Sequence, residues 1–266
     1  MEPGKVAKAD YTNYQESVYR CLDEIKAAGV LAKQKRIIIK PNLVSNNPPP
    51  TTTDVGLVEA IVRYCQEHSQ AELIVTEGSG NCSTDKAFEG LGYYERLKPL
   101  GILPIDLDTA EIVKLKNPHM PLYKEIYLPK FLLDGFLISA PALKEHGMTT
   151  VTLGIKNMVG ILPASKYCGL WLFRKSMVHR YNVHQATADI CFYRPIDLTI
   201  IDGAMGQLRS HLFVSGKPAN PFKKTIIASF DPLAADYEGA RVLGADPLKV
   251  KHLRCYASNL KNGRLC

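Results

Sequence analysis

Residues 36–40 read RIIIK and residues 72–76 read ELIVT. Each is a short run of apolar, mostly branched residues with no polar alternation, as in a strand covered on both faces within a parallel sheet. Between them, residues 54–68 (DVGLVEAIVRYCQEH) put Leu57, Ile61, Val62 and Cys65 on one helical stripe, and Asp54 is placed to cap the first turn. Strand, helix and strand in that order make a right-handed crossover unit. Outward from this unit, residues 12–29 carry Val18, Cys21, Leu22 and Ile25 at helical spacing and stop at Gly29, and a second helix is predicted over 84–98. FLISA at 136–140, LTIID at 198–202 and TIIAS at 225–229 read as strong strands, while 102–108 and 125–129 read as weaker ones. Further helices are expected over 149–159, 182–193, 232–243 and 247–257. The pattern predicts an α/β fold, a mostly parallel sheet with helices on both faces, carried by residues 1–266 as one domain with room for a small additional lobe.

The 266 residues are 46% hydrophobic and 22% charged, ordinary for a chain that folds around its own core. Thirty-three Lys and Arg against 26 Asp and Glu give a net charge of +7, which favours anionic small molecules. The basic residues are spread along the chain without a stripe of interleaved aromatics, so no nucleic-acid partner is expected. No apolar run reaches the roughly 18 residues of a membrane span, and MEPGKVAKADYTNY at the start lacks the apolar stretch of a signal peptide. A cytoplasmic protein with no membrane partner is expected. Cys21, Cys65, Cys82, Cys168, Cys191, Cys255 and Cys266 include no C-x-x-C pair, so reduced thiols are expected, with neither a disulfide framework nor an iron–sulfur cluster in this chain.

Polar residues collect after each strong strand, where ligands bind in open parallel sheets. Lys40 and Asn42 follow the first. Glu77, Gly78 and Ser79 follow the second, in a glycine-rich turn that has neither the dinucleotide fingerprint nor the P-loop Lys-Ser/Thr pair. Lys144 and His146 follow FLISA, Asp202 follows LTII, and Asp231 follows TIIAS. If all five strands run parallel, these groups share one cleft, as in a catalytic site. Asp231 before Pro232 is also a normal helix start, and Asp236 lies beyond any capping position.

Residues 140–160, APALKEHGMTTVTLGIKNMVG, are the densest polar stretch. A helix from Thr149 would put Thr149, Thr152 and Lys156 on one face, with Asn157 beside them, a geometry suited to an anion or cofactor. The alternative is a solvated helix start. Downstream, His179 and His184 are five apart and do not share a helical face, so zincin-type metal binding is not supported.

IKPNLV at 39–44, TDVGLVEAIV at 53–62, VTEGSG at 75–80, ISAPALKEHGMTTVTLGIKNMVG at 138–160, LTIIDGAMG at 198–206 and IIASFDPLAADYEGARVLGADP at 226–247 together resemble the Domain of Unknown Function 362 family, in that family's order. The resemblance implies an α/β fold and no assigned activity. Members often carry a ferredoxin-like cysteine cluster, absent here, so a redox role would need an iron–sulfur protein partner. The family's glycine-rich segment after the Asp-Gly near 200 is replaced by QLRSHLFV at 207–214.

His146 followed ten residues later by Lys156, and then by His179, is more distantly similar to the lactate racemase family, in which a Lys anchors a nickel-pincer nucleotide, one His binds the metal and others move protons. The double glycine before the lysine is missing here. Together these features point to an enzyme binding an anionic small molecule or nucleotide-like cofactor. In it His146 is acid or base, Lys144 and Lys156 are anion anchors, and Lys40, Asn42, Glu77, Gly78, Ser79, Thr149, Thr152 and Asn157 line the ligand. Asp202, Asp231, Asp236 and His179 are candidate ligands for a divalent metal. A non-catalytic accessory of an iron–sulfur protein is the alternative.

Overall fold

The computed structural model describes residues 4–169, 175, 177–180 and 182–261. The chain opens with a short strand absent from the sequence reading, β1 (Ala7–Asp10), followed by helices α1 (Tyr14–Glu24) and α2 (Ala27–Leu31). The single helix expected over 12–29 is broken at Lys26, whose φ of 59° is left-handed. Next come β2 (Arg36–Pro41), α3 (Val55–His68) and β3 (Glu72–Glu77), with Asp54 capping α3 through Gly56 N–H. The helix expected over 84–98 is two short ones, α4 (Thr84–Gly90) and α5 (Tyr93–Leu97), separated by Gly92 at φ 72°. Only β4 (Ile105–Asp106) forms within 102–108. β5 (Ile112–Lys116) and β6 (Glu125–Pro129) pair antiparallel as a separate two-stranded sheet.

After β7 (Phe136–Ala140), the chain departs most from expectation. Residues 149–159 are not one helix: β8 (Ala142–His146) and β9 (Thr150–Thr152) form a hairpin, followed by one turn of helix, α6 (Gly154–Asn157), and a 3-10 turn. Thr149 and Thr152 therefore do not share a helical face with Lys156. Helices α7 (Ala164–Tyr167), α8 (Met177–Arg180) and α9 (Val183–Tyr193) lead to β10 (Leu198–Leu208). The short β11 (Lys217–Pro218), then β12 (Thr225–Ser229), α10 (Pro232–Val242) and α11 (Lys251–Lys261) complete the order.

The main sheet runs β1-β12-β10-β7-β2-β3-β4. The pairs β10–β7, β7–β2, β2–β3 and β3–β4 are parallel, but β12 is antiparallel to both β10 and β1. This overturns the premise that all five strong strands end at one rim, because β12 delivers its last residues to the opposite end. Alternate residues of one strand enter different cores: Ile37 and Ile39 pack with Val18, Leu22, Leu57 and Ile61 on one face, while Ile38 packs with Leu137, Ile190, Ala235 and Leu253 on the other. Burial on both faces explains the apolar runs. Among the described residues no helix is long and apolar enough to cross a membrane.

Candidate active site

The parallel strands β2 and β3 bring Asn42, Glu77 and Gly78 to one rim, and the β8–β9 hairpin, α6 and the segment after β10 that carries His211 and Leu212 wall off a cleft of about 370 Å³ above them. Its floor is a fixed polar cluster. Lys40 Nζ donates to Glu77 Oε2 at 2.8 Å, to Asn157 Oδ1 at 3.0 Å and to Pro41 O at 3.0 Å, so all three protons are used and the side chain is fully buried. Glu77 also accepts Leu43 N–H at 3.2 Å and Gly78 N–H at 2.7 Å. Lys40 fixes the orientation of the Asn157 amide, which must turn Oδ1 toward the ammonium and Nδ2 toward Lys40 O and Ser139 Oγ. Asn42 then donates Nδ2 to Asn157 Oδ1 at 3.1 Å, and its own Oδ1 is left buried without a donor. Gly160 lets this floor close: an added Cβ would lie 2.6 Å from both Glu77 Oε1 and Lys40 Nζ.

Two further lysines face the cleft without a carboxylate. Lys144, 1% exposed, donates among the described residues only to the Thr51 carbonyl. Burial pushes its ammonium down to about 7, and Lys156 adds to the shift. Lys156, 7% exposed, has no hydrogen bond or ion pair among the described residues, and burial followed by the charge on Lys40 pushes it down to about 8. Its position is set from outside the cleft: Asp236 Oδ1 and Oδ2 accept Gly154 N–H at 2.7 Å and Ile155 N–H at 2.9 Å, pinning the start of α6. Lys175 Nζ bonds the carbonyls of Gly78 and Gly160 at the rim. Lys144, Lys156 and Lys175 thus line the cleft with Lys40 behind its floor, while among the described lining residues Glu77 is the one carboxylate, an arrangement that attracts and desolvates an anion.

The imidazoles are arranged differently from expectation. His146 Nδ1 accepts Met148 N–H at 3.1 Å and Thr149 N–H at 3.3 Å, so the neutral ring carries its proton on Nε2. Burial, with Lys156 and His211 next, holds it far below the usual imidazole range. A ring locked in this tautomer donates from Nε2 but has no lone pair there for a proton or a metal, which argues against the base role expected of it. His211 stacks on it with centroids 3.7 Å apart and planes 3° apart, and His211 Nδ1 is buried without a partner. Thr152 Oγ1 is a third orphaned polar atom on the cleft wall.

The structure therefore brings Asn42, Glu77, Gly78, Lys144, His146, Thr152, Lys156, Asn157 and His179 to one cleft, with His179 exposed at its mouth and Lys40 directly behind the floor. Ser79 bonds Cys82 Sγ and lies outside the cleft wall, as does Thr149, whose hydroxyl donates to Val151 O. Asp202, Asp231 and Asp236 are not brought together. Asp202 accepts from Tyr14 OH, Asp54 N–H and Ala204 N–H away from the cleft, and burial with Asp54 nearby raises it to about 7. Asp231 caps α10 at the opposite end of the sheet, accepting Leu233 N–H and Ala234 N–H. Among the described residues no group of three or more His, Cys, Asp or Glu side chains could hold a metal. Sequence reasoning missed His211, Lys175 and Gly160. His211 sits in the 207–214 segment that departs from the family's glycine-rich pattern, a signal that the site is built differently there. No pattern marks Lys175.

A thylakoid-associated protein of Synechocystis sp. is 23% identical over 218 residues, 81% of this chain and 65% of its own length. The lactate racemase apoprotein from Thermoanaerobacterium thermosaccharolyticum is similar in structure, with a TM-score of 0.54 over 90% of this chain and 57% of that one. At 11% identity this likeness shows the α/β fold alone. The chain thus spans less than two thirds of the length of either protein. Residues 37–241, which contain the sheet from β2 to β12 and every cleft residue named above, match the model of a domain of unknown function, DUF362, and the chain belongs to that family.

Proposed function

We propose that this chain is an enzyme that binds an anionic small molecule, or the anionic group of a nucleotide-like cofactor, at the C-terminal ends of β2, β3 and β7. The observation that carries the proposal is Lys156, a buried ammonium with no partner among the described residues, in a cleft whose one described lining carboxylate is already taken by Lys40. An unpaired buried charge is costly, and an anion in the cleft removes that cost. Asn42 Oδ1 and Thr152 Oγ1 fit a ligand that also carries a hydroxyl or amine, and His146 contributes an Nε2–H donor to its charged oxygens.

The nickel nucleotide implied by the racemase-like spacing fits poorly. Lys156 suits an anchor, but His146 presents a donor where a ligand or proton acceptor is required. The proposal is tested by isothermal titration of the chain with inorganic phosphate, oxalate and adenosine monophosphate. At least one should bind at a single site and lose ten-fold or more in affinity in Lys156→Ala with the circular dichroism unchanged. A chain that binds none of them, and is instead retained by an iron–sulfur protein, would favour the accessory reading.

A further inference from the structure

Lys144 is a second unexplained group in the same cleft. Lys144 and Thr152 are cross-strand partners in the β8–β9 hairpin, and Lys144 and His146 lie two apart on β8, so the hairpin turns all three toward the cavity. Three buried ammonium groups, on Lys40, Lys144 and Lys156, stand near a single carboxylate, and like charges in a desolvated site do not all persist. Burial lowers the Lys40 ammonium too, but Glu77 at 2.8 Å opposes that shift. Lys144 is more deeply buried than Lys156, and its sole acceptor among the described residues is the neutral Thr51 carbonyl. Its amine is therefore the first to lose a proton. A neutral amine still donates to Thr51 O and keeps its lone pair available. Lys156 stays beside it as a cation, the arrangement by which one lysine activates another as a nucleophile.

We propose that Lys144 forms a Schiff base with a small anionic aldehyde or ketone whose charged group is held by Lys156. The inference rests on the anion-binding reading of the cleft and deepens it by naming the substrate class. The Nζ lone pair attacks the carbonyl carbon, forming a C–N bond while the carbonyl π pair moves to oxygen. Oxygen takes up a proton, the nitrogen loses one, and expulsion of water leaves the imine. Amine and carbonyl give imine and water with no change in oxidation state. The low pKa of Lys144, about 7, places the reactive form within reach at neutral pH.

The test incubates the full chain with glyoxylate and sodium cyanoborohydride at pH 8 and maps carboxymethyl-lysine by peptide mass spectrometry. Lys144 should be modified at least ten-fold faster than any other lysine. Labelling should slow as the pH drops below 7, and prior addition of oxalate should protect the site. Lys144→Arg keeps a cation but removes the nucleophile and should abolish fast labelling with the circular dichroism unchanged. Fast labelling at Lys156, or modification spread evenly over exposed lysines and unchanged in Lys144→Arg, would overturn the proposal. Oxalate binding without any fast adduct would overturn the Schiff base and leave the anion site standing, whereas loss of both would remove both.

Discussion

Replacing Lys156 with Met separates function from stability, because the two should move in opposite directions. The side chain keeps most of its length but loses a buried charge. In the folded chain the ammonium is held down from 10.5 to about 8, which at ~1.4 kcal/mol per tenfold change in proton affinity is at most about 3.5 kcal/mol. A depressed folded-state pKa means that the stability the group contributes is present above the unfolded value and is lost as the pH falls through about 8, so at pH 7 the cost is fully expressed. Lys156→Met removes that cost. At roughly 2–4 °C per kcal/mol for a chain of this size, melting followed by scanning fluorimetry at pH 7 should rise by several degrees. The same substitution removes a charge-assisted hydrogen bond to the anion of about 1.5–3 kcal/mol, and titration calorimetry should show a Kd roughly 10- to 150-fold weaker. A variant that melts lower and binds as well as the parent would refute the reasoning and make Lys156 a structural residue.

Gly160→Ala places a Cβ 2.6 Å from both Glu77 Oε1 and Lys40 Nζ, and urea unfolding should show a loss of about 1–3 kcal/mol. His146→Asn should keep the fold, since its Oδ1 can accept the Met148 and Thr149 N–H groups. His146→Phe should cost about 1–3 kcal/mol in the same assay, and the ring proton of the native His146 should not titrate between pH 5 and 8 by nuclear magnetic resonance. For Asp202, raised to about 7 by burial and Asp54, the stabilising contribution is complete below about pH 4 and lost as the pH rises through 7. Asp202→Asn should therefore unfold at higher denaturant than the parent above pH 7, with the difference vanishing toward pH 4.

The parallel half of the sheet was legible because double-sided burial writes itself as apolar runs: Ile37, Ile38 and Ile39 serve two cores in alternation. The direction of β12 was not legible, since TIIAS reads the same in either orientation and only pairing with β10 and β1 reverses it. That reversal moved Asp231 to the far rim. Periodicity also failed at 149–159, where Thr149, Thr152 and Lys156 fit a helical face by spacing while the hairpin took the threonines into a strand and its turn. Lys40 and Lys144 were legible because charged residues close after buried strands have few ways to leave the rim, and Lys156 because of the polar density of 140–160, whereas no pattern marked Lys175. The restriction on His146 was invisible, because its tautomer is dictated by two backbone N–H groups in the following turn. Asp236 looked like a site carboxylate and instead acts at a distance, holding the turn that carries Lys156.

Proton uptake on anion binding tests the central claim most directly. With Lys156 near 8 and Lys144 near 7, an anion entering the cleft draws both upward, so calorimetric titrations with oxalate at pH 8 in buffers of different ionisation enthalpy should show net uptake of protons. Affinity should strengthen as the pH falls from 9 to 7. Binding with no proton uptake, and with the same affinity at pH 9 and pH 7, would contradict a site built on these two lysines.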